Sequence, residues 1–238
     1  MITTANDTAP HPFLTFSEGL RSTLEFSSLF AAWPILWAAP RGDGSKVMVL
    51  PGFSLDNAST LLLRSYLTWL GYDVHGFEAG RNFGRRTLGH GHAALYEMID
   101  AVAKGEPISL VGHSLGGVLA REYARRHPGR VRQVICLGSP FTGDERSMPA
   151  AVVWLRRALT DEDTSIPPDR SPMPVPHTVI YSNTDGVVAG FDCRHDCEGS
   201  DNVEVVGSHL GLVHNAAAFR IIAERLARPA PEAVSQAA

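Results

Sequence analysis

Short apolar runs alternate with segments of helical periodicity along most of this chain. The runs that predict buried strands are residues 46–50, 72–77, 107–111, 131–137, 178–181 and 203–206. The segments that predict helices between and after them are residues 59–70, 92–103, 117–127 and 215–226. Strands that alternate with helices at this spacing form a mostly parallel sheet that is covered on both faces. The expected fold class is therefore α/β, and the 238 residues are predicted to form one domain.

Three segments lie outside this alternation. Residues 1–16 are expected to form a flexible N-terminus, and residues 229–238 a flexible tail. Residues 17–30 predict an amphipathic helix, with Leu20, Leu24, Ser27 or Ser28, and Phe30 toward one side.

Residues 141–175 interrupt the strand pattern. They contain one apolar helix, predicted over 149–159, followed by a segment punctuated by prolines. We interpret this insertion as a helical cap over the carboxyl edge of the sheet. The alternative is a helix that packs on the flank of the domain.

The composition narrows the range of partners. Hydrophobic residues make up 44% and charged residues 19% of the chain, as is usual for a globular protein. A formal charge of −4 without a basic stripe argues against nucleic-acid binding. Residues 1–20 lack the basic start of a signal peptide, and the apolar stretch 30–39 is too short to cross a bilayer. A cytoplasmic protein without stable membrane insertion is expected, and its oligomeric state stays open.

The most informative motif is Gly112-His113-Ser114-Leu115-Gly116, which follows one predicted strand and precedes a predicted helix. A G-x-S-x-G sequence in this context is typical of a nucleophile elbow, a sharp turn that holds the serine hydroxyl clear of the backbone. The glycines leave room that larger side chains would fill. The alternative is an ordinary turn whose serine caps the helix.

A nucleophilic serine needs a histidine base that is itself oriented by a carboxylate. Asp185 follows the predicted strand 178–181, and His209 follows the predicted strand 203–206, so both are expected at the edge where the elbow lies. Asp192 and Asp196 compete for the role of the acid. His214 competes for the role of the base. His113 adjoins Ser114 but cannot easily align its ring with the serine hydroxyl.

The remaining parts of the site are predicted from position. The backbone N–H groups of Leu115 and Phe53 are candidate oxyanion donors, since Pro51 has no N–H and Gly52 provides the bend. Apolar candidates for the substrate pocket in and near the cap are Phe141, Val152, Trp154 and Leu155.

These motifs resemble the α/β-hydrolase superfamily, and in particular its small bacterial serine esterases and lipases. The matching segments are residues 49–53, 80–84, 112–116, 184–188 and 207–212, so the resemblance spans about residues 46–226. The order serine, acid, histidine along the chain is also that of α/β-hydrolases. The resemblance implies a Ser114 nucleophile, a His209 base and Asp185 as its orienter. It also implies hydrolysis of a small-molecule carboxylic ester without metal or cofactor. Many lipases carry histidine where Pro51 stands here, which weakens a comparison with triacylglycerol lipases.

Two other functions stay open. An acyltransferase would form the same acyl-enzyme and pass the acyl group to an alcohol or an amine. A non-catalytic binding protein on this scaffold is the second alternative, because fold does not dictate function. A metal-dependent hydrolase is not expected, since no H-E-x-x-H motif or comparable ligand cluster occurs.

The three cysteines add little to the prediction. Cys136 lies in an apolar run and is expected to be buried in a strand. Cys193 and Cys197 flank His195 and are compatible with a disulfide, a metal site or two free thiols. Free thiols are favoured because cytosolic proteins seldom keep disulfides.

Overall fold

A six-stranded sheet, all parallel, forms the centre of the protein in a computed structural model that describes residues 8–142, 144–159 and 169–228. The strands are β1 (Lys46–Leu50), β2 (Asp73–His75), β3 (Ile108–His113), β4 (Val131–Leu137), β5 (His177–Tyr181) and β6 (Ser200–Glu204). Their order in the sheet is β2-β1-β3-β4-β5-β6. The predicted parallel α/β architecture is confirmed.

Strand ends differ from the prediction mainly at the two edges of the sheet. The inner strand β4 has the predicted bounds, whereas β2 is shorter than the predicted 72–77 and β6 begins earlier than the predicted 203–206. Each edge strand pairs with one neighbour only, β2 with β1 and β6 with β5. β6 pairs along the whole of β5, whereas β2 pairs only with residues 46–48 of β1.

Helices cover both faces of the sheet. They are α1 (Pro12–Ala31), α2 (Trp33–Trp37), α3 (Leu61–Leu70), α4 (Arg85–Leu88), α5 (Ala93–Ala103), α6 (Leu115–Arg126), α7 (Ala150–Leu159), α8 (Gly190–Cys193) and α9 (Ala216–Leu226). Side chains alternate between the two faces along β1, as strand geometry requires. Val47 and Val49 pack in the core formed with α3 and α9, while Met48 and Leu50 pack in the core formed with α5 and α6.

The strand order has a topological switch point between β1 and β3. After β1 the chain adds β2 on one side and then returns to add β3 on the other. At such a switch point the loops that follow the two central strands lead in opposite directions and leave a crevice at their carboxyl ends. The elbow motif follows β3 at this point, and Gly112 is paired in register with Leu50, the last residue of β1.

Helix α1 begins earlier than predicted, and its apolar side faces outward. It begins at Pro12, because proline suits the first helical turn and His11 Nδ1 accepts a hydrogen bond from the Phe13 N–H. Residues 12–16 are thus helical, while residues 1–7 lie outside the described residues. The apolar side of an amphipathic helix usually faces the core. Here Phe16, Leu20 and Leu24 are 97%, 68% and 61% exposed, so the apolar side of α1 faces outward.

Part of the predicted cap is described. Helix α7 has nearly the predicted bounds, and Val153 packs in a small core with Val188 and Tyr181 near the end of β5. Gly143 and residues 160–168 of the insertion, and the predicted tail 229–238, lie outside the described residues. A cap function for this helix stays a prediction.

Candidate active site

Ser114 occupies the sharp turn between β3 and α6. Its backbone has φ 50° and ψ −120°, a combination that few residues other than glycine adopt and that stores strain. Ser114 stands at the N-cap position of α6, but its side chain makes no capping hydrogen bond. Helix capping therefore does not account for the serine, and the local geometry is that of a nucleophile elbow.

The two glycines of the motif are required by close backbone packing. A Cβ atom at Gly112 would overlap the backbone of Gly117, and a Cβ atom at Gly116 would overlap the carbonyl oxygen of Leu50. Neither contact can be relieved by rotating a side chain. The elbow thus packs directly against the end of β1, which brings the loop after β1 beside Ser114.

Asp185 lies in the loop that follows β5, and its side chain is buried. Its Oδ1 accepts hydrogen bonds from the N–H groups of Val187 and Val188, both at 2.7 Å. Its Oδ2 accepts a hydrogen bond from His209 Nδ1 at 2.6 Å. The carboxylate is therefore held in one orientation by its own loop and presents one oxygen to the histidine.

The two competing aspartates are engaged elsewhere. Asp192 Oδ1 accepts a hydrogen bond from the Thr142 N–H at 2.8 Å, and Asp192 Oδ2 accepts one from Ser147 Oγ at 2.6 Å. Asp192 thereby ties α8 to the segment before α7. Asp196 is exposed and pairs with Arg194 at 2.9 Å.

His209 follows β6 and is buried together with Asp185. Its Nδ1–H donates to Asp185, which leaves Nε2 as the ring nitrogen that is able to accept a proton. Burial lowers the pKa of His209, but the charge and hydrogen bond of Asp185, with a smaller contribution from the charge of Glu18, outweigh this and raise the pKa above its usual value. Asp185 and His209 thus form one buried, hydrogen-bonded pair.

His113 connects the elbow to the base. Its Nε2–H donates to the backbone carbonyl of His209 at 2.9 Å, and the two rings lie 4.9 Å apart between centroids. Burial, followed by the nearby charge of His209, lowers the pKa of His113 to about 3. The residue before Ser114 is thus a neutral spacer that sets the distance between the elbow and His209. Ser114 is partly exposed, and its Oγ makes no hydrogen bond with the described residues.

The competing base His214 lies farther along the same loop. It is half-buried, and its ring packs edge-on against Phe26 of α1 at 5.8 Å between centroids. Burial lowers the pKa of His214 below its usual value. Its surroundings are those of a packing residue.

The two candidate oxyanion donors lie in the expected loops. Among the described residues, no hydrogen bond uses the N–H of Phe53 or of Leu115. The loop after β1 is held by the buried Asn82, whose Nδ2 donates to the Pro51 carbonyl at 2.8 Å. The Asn82 carbonyl also accepts from the Ser54 N–H at 2.8 Å. Asn82 was not singled out from the sequence, although it lies in a glycine-bounded loop of the resemblance.

The four residues predicted to bind substrate lie in different surroundings. The Phe141 ring is stacked on His195 at 4.1 Å between centroids, with the Arg121 guanidinium over it at 4.2 Å. On α7, Val152 is partly buried, whereas Trp154 is 70% exposed and Leu155 is also exposed. Their roles in substrate binding stay predictions.

The three cysteines are separate thiols. Cys136 is buried in β4 as expected, Cys193 is buried beneath the Asp185 loop, and Cys197 Sγ donates to the Arg170 carbonyl at 3.2 Å. Within the described ranges, no group of three or more potential metal ligands occurs.

Two further residues shape the site and were missed by sequence reasoning. Gly138, at the end of β4, has φ 54°, and a Cβ atom there would lie 3.2 Å from both Asp185 Oδ2 and His209 Nδ1. Glu18 of α1 binds backbone N–H groups of both the Asp185 and the His209 loops. A signal for Glu18 was available, since Glu18, Arg21 and Glu25 recur at helical spacing in an otherwise uncharged segment.

The parallel sheet, the strained elbow and the buried acid–histidine pair together define an α/β-hydrolase. A family model described as serine aminopeptidase, S33, matches residues 62–186, which is more than half of the chain. The chain belongs to this family, within the α/β-hydrolase superfamily.

Known proteins with detectable similarity agree with this assignment. The chain is 33% identical over 100 residues to abhydrolase domain-containing protein abhd-5.2 of Caenorhabditis elegans. This match covers 40% of the chain and 22% of the length of that protein. The chain thus spans well under half of the curated relative that it matches.

Solved structures share the fold at low sequence identity. An α/β-hydrolase from the metagenome of lagoon sediments of Mar Chica, Morocco, has a TM-score of 0.58 at 17% identity, with 78% of this chain and 91% of that chain covered. The pyrethroid hydrolase PytH has a TM-score of 0.58 at 17% identity, with 78% and 98% covered. A structure described with the metagenome-derived lipolytic enzymes LipS and LipT has a TM-score of 0.54 at 17% identity, with 79% and 93% covered. These matches establish the fold.

None of the described helices combines the length and the apolar character needed to cross a membrane.

Proposed function

We infer that this protein hydrolyses small-molecule carboxylic esters through an acyl-enzyme on Ser114. The observation that carries the proposal is the buried pair of His209 and Asp185, joined at 2.6 Å, beside the strained turn of Ser114. A serine hydroxyl is a weak nucleophile until a positioned base accepts its proton. His209 presents its Nε2 for this purpose.

In the proposed acylation step, Ser114 Oγ attacks the ester carbonyl while its proton moves to His209 Nε2. The imidazolium that forms is stabilised by the carboxylate of Asp185, which also fixes the tautomer of the neutral ring. His209 then returns the proton to the departing alcohol. A water molecule then attacks the acyl-enzyme while its proton moves to His209 Nε2. His209 returns this proton to Ser114 Oγ as the carboxylic acid leaves.

The oxyanion of each tetrahedral intermediate would be bound by the N–H groups of Phe53 and Leu115. The Leu115 N–H begins helix α6, where the helix dipole favours negative charge. Asn82 holds the loop that carries Phe53. Donors that are already positioned contribute most because they need no reorganisation during the reaction.

The ester class is a proposal that rests on the site. Two of the similar structures bear names that mention lipolysis and pyrethroid hydrolysis, and the family model is described as a serine aminopeptidase. These relatives act on different compounds, so they support a serine hydrolase in general. The exposed Trp154 and Leu155 on α7 are the proposed contacts for the acyl or alcohol group.

The proposal is tested by initial rates on p-nitrophenyl esters from acetate to palmitate. We expect Ser114→Ala to lower kcat by on the order of 10⁶. His209→Gln is expected to act similarly. The matched control His214→Gln removes the competing histidine and should keep most of the activity. The chain-length optimum would measure the size of the pocket.

Equal rates for the wild-type protein and Ser114→Ala would refute the proposal. Cleavage of aminoacyl p-nitroanilides but not of esters would refute the ester class and keep the serine mechanism. Transfer of the acyl group to an added alcohol, in preference to water, would identify the acyltransferase alternative.

A further inference from the structure

Apart from Leu29 near its end, which packs in the core formed with α3 and α9, the inner side of helix α1 is largely polar. This is unusual for a helix that packs on a domain. Glu18, Arg21 and Glu25 lie on this side at helical spacing, opposite the exposed apolar side. Glu18 is only 5% exposed. A buried carboxylate is costly unless its oxygens accept hydrogen bonds, so its partners show what the helix does.

Glu18 joins two loops of the candidate active site. Its Oε1 accepts hydrogen bonds from the Gly186 N–H at 2.8 Å and from the His209 N–H at 2.9 Å. Its Oε2 accepts a third from the Leu210 N–H at 2.9 Å. Gly186 directly follows Asp185 in the chain, so one side chain holds the backbone beside the proposed acid and the backbone of the proposed base.

Other contacts also hold α1 against the Asp185 loop. Thr15 Oγ1 donates to the Gly186 carbonyl at 2.7 Å, and Arg21 donates to the Thr184 carbonyl at 2.6 Å. A Cβ atom at Gly186 would lie 2.5 Å from the backbone of Leu14, so the helix and the Asp185 loop pack without an intervening side chain. The position of Glu18 is therefore set by the whole first half of α1.

We propose that Glu18 is a positioning residue that holds the Asp185 and His209 loops in register and places a second carboxylate beside the base. This inference rests on the proposed function of Ser114 and His209. Glu18 touches the backbone of these loops and does not contact a reacting atom.

The charge of Glu18 adds a measurable electrostatic effect. The groups that face His209 are Asp185 from the β5 loop, His113 from the elbow and Glu18 from α1, with Arg21 3.8 Å from the Glu18 carboxylate. Glu25 accepts a hydrogen bond from the neighbouring Ser208 N–H. His113 is kept neutral by burial, which lowers its pKa to about 3. Asp185 and Glu18 both raise the pKa of His209.

The main test is Glu18→Gln, which keeps a side-chain oxygen acceptor and removes the charge. His209 acts as a base only when it is neutral. Without the Glu18 charge its pKa should fall, and activity should persist to lower pH. We expect the acid limb of the pH profile to move to lower pH, and the maximal rate to fall about tenfold because the loops lose one backbone bond.

Two readouts keep this test independent of the ester substrate. One is the second-order rate at which a fluorophosphonate probe labels Ser114, measured from pH 4.5 to 9. The other is the pH titration of the His209 Nδ1 proton by NMR, assigned by its loss in His209→Gln. Thermal unfolding of each variant shows that it is folded.

Glu25→Gln is the matched control. Glu25 lies on the same side of the same helix, and its Oε1 accepts a hydrogen bond from the Ser208 N–H at 2.7 Å. Its charge is not among the causes of the raised pKa of His209. We expect Glu25→Gln to lower the unfolding temperature without moving the acid limb. Glu18→Leu should move the limb as Glu18→Gln does and lose more rate.

The outcomes are separable. A downward shift of the limb and of the NMR titration in Glu18→Gln alone supports the proposal. An unmoved limb in folded Glu18→Gln, with or without a lower rate, overturns it. Absence of probe labelling in the wild-type protein would refute the proposed serine chemistry, and the NMR titration would still decide the role of Glu18.

Discussion

Replacement of Asp185 by asparagine tests the proposed base most directly, because the structure fixes the orientation that the new amide would take. In the wild-type protein Oδ1 accepts two backbone N–H groups, from Val187 and Val188, while Oδ2 faces His209 Nδ1. An amide has only one oxygen. Turning its NH₂ group toward the two N–H donors would break two hydrogen bonds, so the oxygen should stay there and the NH₂ group should face His209.

This orientation forces the histidine into the wrong tautomer. The amide NH₂ is a donor, so Nδ1 of His209 must become the acceptor, and the proton of the neutral ring must move to Nε2. Nε2 then has no lone pair with which to accept the Ser114 proton. A comparable change in a serine triad lowers kcat by about 10⁴, which corresponds to about 5 kcal/mol of transition-state stabilisation.

The loss should be catalytic and should not result from unfolding. A hydrogen bond to a charged group contributes about 1.5–3 kcal/mol to stability, less than the 5–15 kcal/mol that is typical of a domain. Asp185→Asn is therefore expected to remain folded at 25 °C. Asp196→Asn is the matched control, because Asp196 is an exposed aspartate that pairs with Arg194. It should retain wild-type activity.

The assay is kcat on p-nitrophenyl butyrate, with circular dichroism for folding. Intact mass must be checked on fresh protein, because an asparagine that precedes glycine, as here at Gly186, deamidates back to aspartate. Activity of the verified variant within tenfold of wild type would refute the tautomer argument and the assignment of Asp185 as the orienting acid.

Three further predictions follow from the packing and burial of single residues. Gly116→Ala should lower the free energy of unfolding by about 3 kcal/mol, because the new Cβ would overlap the Leu50 carbonyl at the end of β1. Urea unfolding measures this change. In the control Gly129→Ala the new Cβ meets no atom within 4 Å, so the free energy of unfolding should change by less than about 0.5 kcal/mol. Gly19→Ala, in the interior of α1 with open space around it, should raise the unfolding free energy by about 0.5–1 kcal/mol, and a lower melting temperature would contradict this. Burial lowers the pKa of His113 to about 3 and that of His177 to about 2. Below about pH 6.5 these histidines are protonated in the unfolded chain but stay neutral in the folded one, so the free energy of unfolding should fall by about 1.4 kcal/mol per pH unit for each histidine. Equal urea midpoints at pH 6.5 and 5 would contradict this expectation.

The parts of the site that are built from residues adjacent in the sequence, or from the ends of predicted strands, could be predicted from the sequence. The elbow is built from consecutive residues of β3 and α6, so its strand, turn and helix are all visible in one segment. Asp185 and His209 follow strands of a parallel sheet, and such strands end at the same edge. The pairing of these two residues was therefore predictable, and the structure joins them at 2.6 Å.

The contribution of α1 was decided by the tertiary structure. Local periodicity identifies an apolar side and a polar side, but it does not say which of them faces the domain. The N–H groups that bind Glu18 are 168 to 192 positions away in the chain, on Gly186, His209 and Leu210. Unpaired N–H groups in buried loops are costly. Because Glu18 accepts hydrogen bonds from these groups, the polar side of α1 faces the domain and Leu20 and Leu24 are left exposed. The sequence by itself determined the strands, the elbow and the order of the proposed triad, whereas only the folded chain determined what holds the acid and the base in place.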